Sequence, residues 1–236
     1  MAEIVGVVER LWRYPVKSTA GERLLEVAVD DRGLAGDRLY AVRDADGKLG
    51  SGKNTRRFRR MDGLLRLGSR LGHRLDGPEL LDPLGHTVTD PDAFLQAYLQ
   101  RADVRLARED GVSHFDQLPV SLLTTATLDW VREAAPNALV DERRFRPNIL
   151  LRTPPGTPPF VEDQWFGHEG ELRSGVRLAF VRSSERCAMA TAAQPGLPRA
   201  PEILRVLTRA HQSRLDALAT VHAPGLLRVG DRLRLH

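Results

Sequence analysis

Short alternating apolar segments, each ended by glycine, proline or an Asp/Asn turn, constrain this 236-residue chain more than any other feature. Ile4 to Tyr14 carries Val5, Val7, Val8, Leu11 and Trp12 and stops at Pro15, which ends regular pairing. Leu24 to Val29 alternates apolar and polar residues. Leu39 to Val42 follows a loop with Gly33 and Gly36, and Asp44-Ala45-Asp46-Gly47 reads as a hairpin turn. Leu64 to Leu67, His73 to Leu75, Glu79 to Leu81 and His86 to Val88 read as further short strands. Val104 to Ala107, Val120 to Leu123, Ile149 to Leu151, Leu172 to Val181, Leu215 to Val221 and Leu227 to Leu235 continue the pattern. Helical signals are few. Asp90-Pro91 supplies an N-cap with proline at the first helical position, and Phe94, Leu95, Tyr98 and Leu99 fall on one face. Thr124 or Thr125 caps a second helix bearing Leu128, Trp130 and Val131, and Glu202 to Ala210 forms a third. The sum is an α+β chain, predominantly β, with barrel-like sheets and a few short helices. The polar stretch Arg108-Glu109-Asp110-Gly111 marks a joint between domains 1–109 and 110–236.

Composition excludes several classes. Hydrophobic residues at 42% and charged residues at 28% suit a globular protein with a proper core. A single cysteine rules out an intramolecular disulfide, a cysteine-based zinc site and a self-contained cysteine-ligated iron–sulfur cluster. The first residues lack a basic and then long apolar leader, and no apolar run reaches the roughly 20 residues of a membrane span. The expectation is a cytoplasmic protein without a membrane partner. Arginines cluster at Arg56, Arg57, Arg59 and Arg60 and at Arg143, Arg144 and Arg146. Only Phe58 and Phe145 stand among them, so the aromatic platforms of a nucleic-acid surface are missing. A small anionic ligand or a solvated face suits these clusters better than nucleic acid. Gly50-Ser51-Gly52-Lys53-Asn54-Thr55 resembles a phosphate loop, but it fails the G-x-x-x-x-G-K-[ST] spacing and no helix pattern follows.

The one cysteine, Cys187, stands just after an alternating strand, with Ser183 and Ser184 read as the exit from that strand. Arg182 and Arg186 flank it, and nearby cations favour the thiolate that attacks or ligates a metal. Upstream, Lys17 and Ser18 place an ammonium and a hydroxyl side by side on the loop after Pro15, as an anion cradle does. His168, His211 and His222 are scattered and none pairs with Cys187 by motif, so a cysteine-hydrolase mechanism has no support.

Five stretches in order resemble the MOSC superfamily, which includes the C-terminal domain of molybdenum cofactor sulfurases and the amidoxime-reducing molybdenum enzymes. Tyr14-Pro15-Val16-Lys17-Ser18 is similar to the opening motif of their N-terminal β-barrel domain. Gly33-Leu34-Ala35-Gly36-Asp37-Arg38 is similar to the G-L-x-x-D-R loop, and Phe145-Arg146-Pro147-Asn148-Ile149 to F-R-P-N-I. Arg186-Cys187 falls at the family cysteine, with Thr191 four residues on as in C-x-x-x-T, and Leu227-Arg228-Val229-Gly230-Asp231 matches the closing motif.

The resemblance implies a MOSC fold with an N-terminal β-barrel domain and a pyranopterin molybdenum cofactor. Cys187 is then the catalytic residue and the protein ligand to the metal. Lys17, Ser18, Arg38, Arg146 and Asn148 become cofactor contacts, joined by Thr191 and, on a looser match, by Thr124 and Thr125. Lys17 and Arg38 are expected on loops where core packing is not at stake. At superfamily level the resemblance also carries pyridoxal phosphate binding. It implies a reductase of small N-hydroxylated substrates. With no cysteines left for an iron–sulfur cluster and no G-x-G-x-x-G turn, electrons would come from a separate ferredoxin or flavoprotein, docked at Arg56 to Arg60. The alternative is a non-catalytic carrier of the cofactor, or of sulfur as a Cys187 persulfide. The stretch Asp216-Ala217-Leu218-Ala219 departs from the family in lacking aromatic residues.

Overall fold

The computed structural model of the chain describes residues 3–72 and 77–236. The strand expected at His73 to Leu75 lies outside the described residues. The first half carries β1 (Glu3–Arg13), β2 (Glu22–Leu24), β3 (Glu26–Asp30), β4 (Gly33–Leu34), β5 (Tyr40–Arg43), β6 (Leu49–Ser51), β7 (Phe58–Arg60), β8 (Gly68–Leu71), β9 (Pro78–Leu81), α1 (Pro91–Leu99) and β10 (Arg105–Arg108). The second half carries β11 (Val120–Thr124), α2 (Thr125–Ala134), β12 (Ile149–Arg152), β13 (Glu169–Leu172), β14 (Arg177–Glu185), α3 (Pro201–His211), β15 (Arg214–Ala223), β16 (Gly225–Arg228) and β17 (Arg232–Leu235).

A closed barrel organises these elements. Strands β12, β11, β15, β14, β13, β17 and β1 are neighbours in that order, and β1 returns to β12. Closure falls to β1 because it is long enough to serve three partners. It meets β12 from Val7–Arg152 to Leu11–Ile149, β17 near its start, and β2 from Leu11–Leu24 to Arg13–Glu22. The strand that opens the sequence thus completes a barrel built from residues 120–235. Strand β3 likewise pairs with β16 from the far end of the chain. Within the barrel, β11 and β12 run parallel because α2 crosses between them; the other barrel pairs are antiparallel. A separate four-stranded sheet, in the order β10-β5-β6-β7, and the β8–β9 pair complete the first half.

Alternation along the strands sorts their side chains. Leu11, Leu122, Ile149, Leu151, Phe180 and Ala217 are buried together in one core. Leu123, Leu150 and Leu215, each next in sequence to a strand residue that faces the other way, pack instead against Leu128 and Val131 of α2 and Ile203 and Leu207 of α3. A third core joins Val42, Leu67, Leu80, Leu95 and Val104. At Gly6, beside a register shift in β1, an added Cβ would lie 2.7 Å from Leu151 Cδ2, so a side chain there would have to displace the leucine.

The caps follow the sequence. Asp90 accepts from the Ala93 amide at 3.1 Å with Pro91 at N1, and the Thr124 hydroxyl accepts from the Thr127 amide at 3.2 Å. Several expected strands differ. Leu64 to Leu67 is a 3-10 turn, Leu64–Arg66, set off by Gly63 in left-handed backbone, and its two leucines face the core of the first half. The stretch His86 to Val88 contributes only an isolated bridge, Leu81 to Thr87. Leu172 to Val181 is a hairpin rather than one strand, because Gly175 turns at φ +87°. Gly230, at φ +92°, splits Leu227 to Leu235 in the same way. Ser183 and Ser184 lie within β14, which runs on to Glu185. The short strands β6 and β7 flank the glycine-rich loop and had no alternation to announce them.

Candidate functional site

One cleft collects most of the residues that the motifs single out. Its walls come from the loop after β1, the turn holding Arg38, residues 115–118, residues 144–148 and the end of β14. Lys17, Ser18, Arg38, Arg146, Asn148, Arg186 and Cys187 all line it.

Tyr14, at the end of β1, is the hub of the cationic wall. The guanidinium carbons of Arg38 and Arg146 lie 4.6 and 4.2 Å from the centre of its ring. Asp37, fully buried, accepts from the Tyr14 amide at 2.8 Å and pairs with Arg38 through its other oxygen. Asn148 knits this wall to the barrel. Its Oδ1 accepts from the Ser121 amide at 3.2 Å and from Arg38 at 3.4 Å, and its Nδ2 donates to the Trp12 carbonyl at 3.3 Å. Arg146 donates to the Thr19 carbonyl at 2.6 Å. Burial, reinforced by the neighbouring Arg38, pulls its pKa down to about 10, which still leaves it charged at neutral pH.

Lys17 forms the opposite anchor. Its ammonium donates to the His114 carbonyl at 2.9 Å, lies 4.8 Å from the Phe58 ring centre and pairs with Asp116. Burial pulls Lys17 down to about 8 against the pull of that carboxylate. Burial also works against Asp116, but Lys17 and Lys53 overcome it and hold the carboxyl at about 2. The pair is therefore ionised at neutral pH. Ser18 donates its hydroxyl to the Gly50 carbonyl at 3.0 Å.

Cys187 is exposed and opens the 3-10 turn Ala188–Thr191. Thr191 closes that turn by donating to the Ala188 carbonyl at 2.8 Å, and its side chain borders an adjoining hollow rather than the cleft. Arg186 is turned inward. It donates to the Phe145 carbonyl at 2.7 Å and to Asp216 at 2.5 Å, while its Nε is buried with no partner among the described residues. Asp216 is fully buried and also accepts from the Ser121 hydroxyl at 2.7 Å. Burial raises its carboxyl to about 6 despite the arginine.

Backbone conformation singles out the same place. Among the described residues, eight that are not glycine have positive φ, and four of them are Ser18, Arg38, Arg146 and Asp216. Such conformations cost roughly 1–3 kcal/mol each and persist where the surroundings over-determine them, as at ligand clamps.

Some sequence expectations need correction. Lys17 and Arg38 do sit on loops, but Lys17 is buried, Arg38 is half-buried, and both are cross-linked, so removing either costs stability as well as charge. Thr124 and Thr125 are not brought to the cleft. The Thr124 hydroxyl caps α2 and donates to buried Glu162 at 2.9 Å, and Thr125 bonds Thr153 across a separate hollow beside Trp130. Thr124→Ala is expected to lower stability by about 1–2 kcal/mol through the lost cap, as read by urea unfolding. Two of the four arginines in the Arg56 to Arg60 cluster are neutralised within the chain, and a third is tied to backbone. Arg59 pairs with Asp44 and Asp46, Arg60 pairs with Asp62, and Arg57 donates to the Ser113 and Phe115 carbonyls. Asp37, Asp116, Ser121 and Asp216 were missed. The first lay inside a quoted motif, but nothing in residue type or spacing pointed to the other three.

Among the described residues, no three His, Cys, Asp or Glu side chains gather as a metal-ligand set. No helix there is long and apolar enough to cross a membrane.

Two family models match. One, for the MOSC domain, covers residues 109–234, and the other, for the MOSC N-terminal beta barrel domain, covers residues 5–71. No curated protein matches. Among solved structures, the YUAD protein from Bacillus subtilis superposes with a TM-score of 0.56 at 13% identity, over 100% of this chain and 98% of that one. YiiM from Geobacillus stearothermophilus matches over 50% of this chain and 54% of its own at 13% identity, with a TM-score of 0.37. The likeness to YUAD concerns the fold. The family models span the cysteine-bearing barrel and the cationic loop after β1, and on that footing the chain belongs to the MOSC domain family, which is associated with the molybdenum cofactor.

Proposed function

We propose that the cleft binds a pyranopterin molybdenum cofactor and that the protein is a reductase of small N-hydroxylated compounds, supplied with electrons by a separate protein. The observation that carries this reading is one exposed thiol, Cys187, on the rim of a cleft whose walls present Lys17, Arg38, Arg146 and Arg186.

The residues fit the group. Molybdenum favours sulfur ligands, and a site with a single protein thiolate requires the remaining ligands to come with the cofactor, as the pterin dithiolene provides. The phosphate of such a cofactor needs cations and hydrogen-bond donors. Arg186 lines the cleft, and its buried, partnerless Nε is a donor that the protein itself leaves unused. When bound, the cofactor supplies two-electron chemistry at the metal. The protein's part is to hold and orient. Cys187 provides the thiolate, Arg38 and Arg146 are fixed by Asp37, Asn148 and the Tyr14 ring, and Asp216 with Ser121 fixes Arg186. Reducing an N–OH bond takes two electrons and two protons and yields N–H and water. The single cysteine of these 236 residues cannot house a cysteine-ligated iron–sulfur relay, which favours electrons delivered by a separate protein.

The test is elemental analysis of protein made in a cofactor-competent host, followed by turnover of benzamidoxime. Molybdenum near one per chain is expected, with turnover using reduced viologen and none using NADH or NADPH alone. Robust NADH-driven turnover by the pure chain overturns the separate donor. The exposure of Cys187 also suits a carrier that hands cofactor or persulfide sulfur to another protein. Bound molybdenum without turnover by any donor, but with transfer to an apo-acceptor, would establish that reading instead.

A further inference from the structure

A second hollow, of about 450 Å³, adjoins the cleft and shares Ser18, Ser51 and Met189 with it. One wall is the turn at residues 60–66 and the other is the turn after Cys187 together with Arg199. Its size falls in the range that holds a small organic ligand. The wall has an apolar part where Met61, Leu64 and Leu65 border it, although each is otherwise buried and Met61 and Leu64 belong to the core of the first half. It also carries Arg66 and Arg199, which are exposed and have no carboxylate partner among the described residues. Arg60, in the same wall, differs in being paired with Asp62. Two uncompensated guanidinium groups beside an apolar wall suit a ligand with an apolar body and an anionic end, because arginine meets carboxylate in a bidentate geometry.

Met189 stands where hollow and cleft meet. Its sulfur accepts from the Gly52 amide at 3.2 Å, and a Cβ on residue 52 would lie 2.6 Å from that sulfur. Glycine at 52 therefore lets the methionine lie across the junction. The unbranched thioether can swing aside at low cost.

We propose that this hollow is the substrate pocket, that Arg66 and Arg199 select N-hydroxylated compounds bearing a carboxylate, and that Met189 sets access from the pocket to Cys187. The proposal rests on the reductase reading of the neighbouring cleft. The carboxylate sits at the arginine end, the apolar body fills the hollow between the turn at residues 60–66 and the turn after Cys187, and the N–O end points past Met189.

The experiment measures binding as well as turnover. Titration calorimetry compares 4-carboxybenzamidoxime with uncharged benzamidoxime, on both cofactor-loaded and cofactor-free full-length protein. Wild type is expected to bind the carboxylate compound about tenfold more tightly, and the Arg66→Gln/Arg199→Gln variant to bind both equally, with benzamidoxime affinity unchanged. Both arginines are exposed, so the double variant should melt with the parent. Met189→Ala should raise the affinity for a bulkier 4′-carboxybiphenyl amidoxime without altering the arginine-dependent preference. Equal binding of the two benzamidoximes by wild type, or a preference that survives in the double variant, overturns the pocket. Turnover with no carboxylate preference overturns it too while leaving the reductase reading intact. Arginine-dependent binding in a protein that retains no molybdenum upholds the pocket and removes the reductase reading.

Discussion

Replacing Cys187 with serine is expected to reduce retained molybdenum to background while moving the unfolding free energy by no more than about 0.5 kcal/mol. The two halves of this expectation rest on different observations. Cys187 is exposed and its side chain caps nothing, so the fold loses no packing and no hydrogen bond. Serine keeps the shape but offers a hard oxygen that is barely ionised at neutral pH, where a soft metal needs a thiolate. Elemental analysis and a chemical melt on the same preparation read both halves. Equal molybdenum in variant and parent would remove Cys187 from the site. The same comparison made with Lys17→Ala would be less clean. That ammonium holds the His114 carbonyl and Asp116 in a buried position, so lost binding and lost structure would arrive together.

The sequence was informative where local physics decides the outcome. Strands with one face in a core must alternate, and β1, β3 and β11 could be placed to within a residue or two on that ground. Asp90 and Thr124 could be read as caps because a side-chain oxygen before a helix has a specific amide to accept from. The same local chemistry made Thr124 a poor guide to the site. A fully buried hydroxyl committed to a cap and to Glu162 has no donor left for a ligand, and residue type does not reveal the commitment. The motif matches did locate Lys17, Ser18, Arg38, Arg146, Asn148 and Cys187, which the fold brings to one cleft from distant parts of the chain.

What stayed hidden depends on closure of the barrel. Asp216 reads as an ordinary strand residue until β14 and β15 pair and set it against Arg186, thirty residues away in the chain. The left-handed backbone at Ser18, Arg38, Arg146 and Asp216 carries no glycine to announce it. The joint placed at residues 108–111 is a real change in composition, yet β1 and β3 cross it to pair with β17 and β16. A division into 1–109 and 110–236 therefore remains a proposal about folding units that strand pairing does not respect.

The contribution of Glu162 to stability is expected to fall as pH rises toward neutrality, and Glu162→Gln is expected to remove that fall. Glu162 is buried between α2 and the barrel. Its Oε2 accepts from the hydroxyls of Thr124 at 2.9 Å and Thr127 at 2.8 Å, and its Oε1 has no partner among the described residues. No cation compensates its charge there, so burial raises its pKa from 4.5 to about 7, and buried Asp216 adds to the rise. A carboxyl whose folded value exceeds its unfolded value contributes stability that is fully present below the unfolded value and lost as pH climbs through the folded one. For Glu162 the window is pH 4.5 to 7. Asp216, raised from 3.8 to about 6, acts in the same direction over a lower window. Two groups oppose them. His114, lowered by burial and by Arg43 from 6.5 to about 4, adds stability as pH rises between those values, and Lys17, lowered to about 8, does so only above pH 8. The total curve mixes these contributions, so the difference between parent and variant is the quantity to measure. Gln cannot ionise and keeps the volume and an acceptor for the two threonines. Urea unfolding at a series of pH values should show Glu162→Gln gaining on the parent by about 3 kcal/mol between pH 4 and pH 8, with most of the change below pH 7. A difference that stays constant across that range would mean that Glu162 titrates in the folded protein as it does in the unfolded chain, and that a compensating charge or water reaches Oε1.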